Sequence, residues 1–228
     1  MHYHTTTRRI LGDLYTPVSV YLHLRDLFPQ SALMESSDYH GNDNSRSFIA
    51  LRPIASVSIA HGKATTTMPD GATETHRLGQ DPGRDVANAI ESFISSFHIE
   101  GEESQYCGLY GYTTFNAVRY FEGITVKDET QASNDAPDML YILYKYVIVF
   151  DHFNNTMTLI ELTAEGETDH LDALEQKLHS PVTANFSFQA IGNVYSTLTD
   201  DEHRANIREG IRHCLRGNIF QIVLSRRF

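Results

Sequence analysis

A few groups of residues in this chain have types and spacings that could do chemistry. Glu35-Ser36 sets a carboxylate and a hydroxyl at the end of the apolar run Ala32-Leu33-Met34. A carboxylate there can pair with a ligand ammonium, the hydroxyl can hydrogen-bond, and the Met34 thioether can pack on an aromatic ring. The ordinary alternative is a polar strand end satisfied by its following loop. Arg204, Arg208, Arg212 and Arg216 recur at intervals of four and would form a cationic ladder along a helix, either for an anion or as a solvated face helped by the helix dipole. With 29 acidic against 18 basic residues and a formal net charge of -11, phosphate-backbone binding is disfavoured, so the ladder is read as solvated and nucleic acid is not expected as a partner. His2 and His4 alternate and could hold a transition metal, but His23, His61, His98, His152 and His179 are scattered singles without paired ligand spacing. Cys107 and Cys214 are far apart in sequence and are expected as reduced, buried thiols.

The elements that must position these groups follow from periodicity and punctuation. Thr16-Pro17 reads as an N-cap and first turn of a helix reaching toward Pro29, and 31–34 as a strand delivering Glu35 and Ser36. Residues 38–44 are a polar loop. The segment 47–60 is a strand pair or one bent strand interrupted at Pro53, followed by turns at His61-Gly62 and Pro69-Asp70-Gly71 that make 63–68 and 73–78 an antiparallel meander. Asp81-Pro82 starts a helix whose Val86, Ala89, Ile90, Phe93, Ile94 and Phe97 make one apolar face to cover the sheet. Gly108 and Gly111 among aromatics mark a strand closely approached by another group, and 115–121 a short helix. Residues 127–138 form a polar loop, 139–150 and 156–162 a hairpin, and Thr168 caps a helix bearing Leu171, Leu174 and Leu178.

Thr199 and Glu202 make a capping box for a helix with Ile207, Ile211, Cys214 and Leu215 on one face, and Gly217 lets the chain leave it. Residues 219–228 then read as a strand covered on both faces. No apolar run approaches the ~20 residues of a membrane span, and Met1-His2-Tyr3-His4 begins a polar leader, so the expectation is a cytoplasmic protein with no membrane partner.

Four stretches, in order, resemble the large, chorismate-using subunit of anthranilate synthase. They are Leu33-Met34-Glu35-Ser36; Gly111-Tyr112 with Val118-Arg119-Tyr120-Phe121-Glu122; Pro137-Asp138-Met139; and Gly217-Asn218-Ile219-Phe220-Gln221-Ile222-Val223-Leu224-Ser225-Arg226-Arg227-Phe228. Asn218 departs from the aspartate common there, and Met34 from a leucine. The resemblance implies an α+β fold of antiparallel sheets packed face to face with outer helices, incomplete in this chain. It also implies that the chain is an N-terminal half, with 1–190 a regulatory and scaffold region and 191–228 the start of the chorismate-binding catalytic region. The implied reaction adds ammonia from a glutamine amidotransferase partner to chorismate with Mg²⁺ and eliminates pyruvate to give anthranilate, under feedback by tryptophan. Catalytic residues and Mg²⁺ ligands are expected beyond this half, leaving it inactive alone and none assigned here. Met34, Glu35, Ser36 and Arg46 are the implied tryptophan-binding residues, and self-association is left open. The alternatives are the aminodeoxychorismate-forming relative, against which Glu35 and Arg226-Arg227 lean, and a stand-alone tryptophan-binding module.

Overall fold

The computed structural model describes residues 1–36, 45–126, 135–179 and 189–228. The loop expected at 38–44 and most of that at 127–138 lie outside them. The chain forms two compact units, Met1–Ala184 and Asn185–Phe228.

The first unit is built on two long antiparallel strands, β3 (Arg46–Ala60) and β8 (Met139–Asp151). They pair from Arg46 opposite Asp151 to Ile59 opposite Met139, with one register shift between Pro53 and Ala55. Arg52 sits there at φ 61 and Pro53 has no N–H to give the ladder, so the strand bends without ending. Of the two expectations for 47–60, the single bent strand is the one found.

The bend divides the sheet into two arms. β2 (Ala32–Met34) and β4 (Lys63–Thr67) attach to opposite ends of the outer edge of β3, and β5 (Thr73–Arg77) extends β4. On β8, β7 (Leu109–Thr113) attaches at one end and β9 (Thr156–Ala164) at the other. β9 pairs with β1 (His2–Leu11), and β1 pairs in parallel with β6 (His98–Glu100). Tyr3, Val149, Ile160 and Leu162 of one arm share a core cluster with Ala55, Val57 and Leu143 of the other, which is how the antiparallel layers face one another.

Helices close the remaining faces. α1 (Pro17–Leu24) starts on a capping box in which Thr16 and Ser19 exchange hydrogen bonds of 3.1 Å, and buries Val20 and Leu24 on Ile49, Leu51, Ile148 and Leu159. It ends before the expected Pro29. α2 (Pro82–Ser95), capped by Asp81 on Arg84 N–H at 3.2 Å, buries Val86 and Phe93, while Ile94 of its expected apolar face stays exposed. α3 (Leu171–Leu178) buries Leu171, Leu174 and Leu178 but is not capped by Thr168. The fully buried Glu161 does that work from β9, accepting the His170 N–H at 2.6 Å with Lys145 Nζ 3.6 Å away.

The polar leader expected at the N-terminus is instead strand β1. Its threonines have high strand propensity, and the polar positions find partners: Arg8 reaches Glu175 at 2.6 Å and Thr5 Oγ1 donates to Glu102 O at 2.7 Å.

The second unit centres on α4 (Asp200–Leu215), with the Thr199/Glu202 capping box in place and Gly217 at φ 74. The Arg204 guanidinium pairs with Asp201 at 2.9 Å and Arg212 with Glu209 at 2.9 Å, as on a solvated face. Residues 219–228 are not a strand. Among the described residues no ladder partner meets them; Ile222 and Leu224 pack instead over Gly210, and Arg226 binds Ser196 Oγ and Asp200 at 2.6 Å. Ile211 and Leu215 stay exposed, and Cys214 is exposed rather than buried, whereas Cys107 is buried and both are free.

Gly111 lies opposite Tyr141, where an added Cβ would collide with the Leu140 carbonyl. Gly111→Ala is therefore expected to cost about 1–3 kcal/mol of stability, read by urea unfolding, with loss of amide protection along β7.

Candidate functional site

The candidate residues gather where β2 ends, β3 begins and β8 ends. The β2 ladder stops at Met34, opposite Phe48. Beyond it the Ser36 N–H donates not to backbone but to Ser47 Oγ at 3.1 Å. Ser47 Oγ in turn meets His152 Nε2 at 2.7 Å, the His152 N–H donates to Ser45 O at 3.1 Å, and Ser45 Oγ lies 3.5 Å from Ser36 Oγ. Ser45 and Ser47 are buried, Ser47 completely, so this polar lattice must be satisfied internally, and it fixes Ser36 just past the end of β2.

Arg46 and Asp151 face one another in register, their charged groups 3.6 Å apart, and the guanidinium lies 5.7 Å from the Tyr106 ring centroid. Burial pushes the Asp151 carboxyl up, but N–H donors from Asn154 and Phe153 and the Arg46 charge outweigh it and hold it below its usual range.

Two concavities flank these groups. One, about 320 Å³, is lined by Tyr15, Thr16, Pro17, Glu35, Phe150 and His152. The other, about 620 Å³, is lined by Arg9, Arg46, Glu103, Tyr106, Asn154 and Thr158, with Arg9 and Glu103 paired at 2.8 Å. Asp151 and Thr156 line both. Glu35 thus opens on the α1 side and Arg46 on the Tyr106 side, Ser36 is tied between them, and Met34 lies beside Phe48. The structure therefore brings Glu35, Ser36 and Arg46 to one corner of the sheet but divides them: the carboxylate lines one concavity, and the guanidinium with the Tyr106 ring lines the other.

Sequence reasoning missed Ser47, Asp151, His152 and Tyr106 as members of this corner. Asp151-His152 is legible in the sequence as a pair of turn formers, but only the β3–β8 register carries them to Arg46. Among the described residues no group of three His, Cys, Asp or Glu could hold a metal ion, so they present no Mg²⁺ ligand set. No helix among them is long and apolar enough to cross a membrane.

Because the folded Asp151 value is depressed, its contribution to stability is present above the ordinary value of 3.8 and lost as pH falls through the lower folded value. Urea melts between pH 5 and below about 3 are expected to show part of the acid loss of stability disappearing in Asp151→Asn, which is already weakened at pH 5.

Comparison with known proteins places the chain in a family. The family described as chorismate binding enzyme matches residues 30–228. Anthranilate synthase component 1 of Lactococcus lactis subsp. lactis is 26% identical, covering 96% of this chain and 48% of its own length. Its counterpart in Pseudomonas putida is 28% identical over 95% of this chain and 46% of its own. The crystal structure of anthranilate synthase component I from Streptococcus pneumoniae TIGR4 matches with a TM-score of 0.52 at 20% identity, over 96% of this chain and 48% of that one. The chain spans about half the length of the curated relatives it matches. It shares the fold of that solved structure, and it belongs to the family of chorismate binding enzymes.

Proposed function

We propose that the protein is an anthranilate synthase component I, and that the described corner is its tryptophan feedback site. In this reading the complete protein joins chorismate and ammonia, with Mg²⁺, to give anthranilate and pyruvate, and a glutamine amidotransferase subunit supplies the ammonia. The names of the relatives, each a component 1, support both the reaction and a partner subunit. The 228-residue chain alone carries regulation and scaffold rather than catalysis.

The observation that supports the reading is the Ser36–Ser47–His152 lattice, which fixes Ser36, next to Glu35 in the chain, against the start of β3, where Arg46 sits opposite Asp151. Glu35, on the α1 side, would take the amino-acid ammonium, Ser36 would add a hydrogen bond and Met34 would pack the indole, while Arg46, which lines the other concavity, would have to turn toward that side to take the carboxylate. Arg46 would have to exchange its Asp151 contact, or share it, on binding.

Titration calorimetry of the chain with L-tryptophan tests this. Saturable binding is expected, weakened about tenfold or more in Glu35→Ala, since a charge-assisted hydrogen bond contributes ~1.5–3 kcal/mol. Incubation with chorismate, ammonium and Mg²⁺ is expected to give no anthranilate fluorescence. Turnover by this chain would refute its inactivity, and tryptophan heat unchanged by Glu35→Ala would remove the corner from the reading.

A further inference from the structure

β5 is an open edge of the sheet. Each of its five residues is exposed, and among the described residues only β4 pairs with it. It is short and carries Glu74 and Arg77, but it has no proline, no lysine and no register shift along β4 to block pairing.

The parity of the β4–β5 hairpin fixes which backbone groups are free. Met68 N–H donates to Ala72 O at 2.8 Å and Leu78 N–H to Gly62 O at 3.0 Å. Hydrogen-bonded pairs alternate along an antiparallel ladder, so Thr66 with Glu74 and Ala64 with His76 belong to that set. Glu74 and His76 thus direct their backbone groups to β4, whereas the N–H and C=O of Thr73, Thr75 and Arg77 point outward.

We infer that β5 pairs with β5 of a second copy of this chain, antiparallel about a two-fold axis at Thr75. In that register the outward groups of Thr75 meet those of the partner's Thr75, and those of Thr73 meet the partner's Arg77. Every outward donor finds an outward acceptor. Glu74 then stands opposite the partner's His76 at a non-hydrogen-bonded position, where facing residues of two strands come within about 4.5 Å and side chains interact most closely. Within one strand these two side chains already meet at 3.6 Å. Shifting the axis to Glu74 would oppose two carboxylates, and shifting it between residues would set outward groups against inward ones; of the axes that remain, the one at Thr75, the centre of β5, pairs all five residues of the strand. Asp85 lines the groove beside Glu74 and His76, but its carboxylate accepts the Gly79 N–H at 2.6 Å.

A single strand pair lies below the roughly 1,000 Å² of a stable complex, so the dimer is weak and concentration-dependent. This inference stands independently of the tryptophan reading. Sedimentation velocity of the 228-residue chain over a dilution series is expected to show a reversible monomer–dimer equilibrium. Thr75→Pro removes one outward N–H and no backbone bond to β4, losing only the Thr65–Thr75 hydroxyl contact of 3.1 Å, which Thr75→Val removes alone as the control, and is expected to leave a folded monomer by circular dichroism. Glu74→Lys is expected to raise the dimer Kd about tenfold or more, and combining it with His76→Glu to restore it, because the opposed groups again differ in charge. A chain that stays monomeric at millimolar concentration overturns the proposal. So does a dimer indifferent to both Thr75→Pro and the charge swap.

Discussion

The β3–β8 ladder is the constraint on which the rest of the first unit depends. Its two strands are paired from Arg46–Asp151 to Ile59–Met139, and every other strand of the sheet joins one of them directly or through one or two intervening strands. A straight ladder of that length would give one open layer. The shift at Pro53 bends it, so that Val149 and Ile160 on one side of the bend and Val57 and Leu143 on the other bury a single cluster. Fully burying a side chain of that size contributes about 1.5–3 kcal/mol, which explains why a local break in the ladder is tolerated. The two ends of the same ladder also fix two separate parts of the surface. One end holds Arg46, Asp151 and the corner around Ser36, and the other carries the β4–β5 hairpin.

Polar groups are treated differently inside and outside this frame. On α4 the Arg204–Asp201 pair is exposed on both sides, and such pairs contribute at most about 1 kcal/mol. Ser47 and Glu161 are fully buried, and each is satisfied: Ser47 by Ser36 N–H and His152, Glu161 by His170 N–H with Lys145 close by. Leaving either unsatisfied would cost more than any surface pair returns. The buried polar groups therefore determine where chain segments stop, the end of β2 in one case and the start of α3 in the other. That is how a corner with ordinary serines comes to have fixed geometry.

Much of this was legible in the sequence because local chemistry decided it. Thr16-Pro17, Asp81-Pro82 and Thr199 with Glu202 begin helices for reasons contained within four residues, and the alternation and turns of 63–78 make a hairpin in any context. What was not legible depended on distant partners. Strand β1 lacks an apolar stripe and exists because β9 and β6 offer it ladders on both sides. The capping of α3 comes from Glu161, nine residues back on another element, where Thr168 looked adequate by proximity. Apolar residues at 219–228 suggested a doubly covered strand; they pack instead across Gly210, a contact no periodicity in either segment announces. In the candidate site, Glu35, Ser36 and Arg46 could be named from a motif, but Ser47, Asp151 and His152 required the register of β3 on β8.

In the proposed reading this register builds a ligand corner from Glu35, Ser36 and Arg46, braced by Ser47 and His152. Backbone amide shifts of the isotope-labelled chain, followed during titration with L-tryptophan, address that most directly. Saturable changes are expected, concentrated at Ser36, Arg46, Ser47, Asp151 and His152, with the amides of α4 unmoved. Saturable changes that leave these five positions untouched would contradict it.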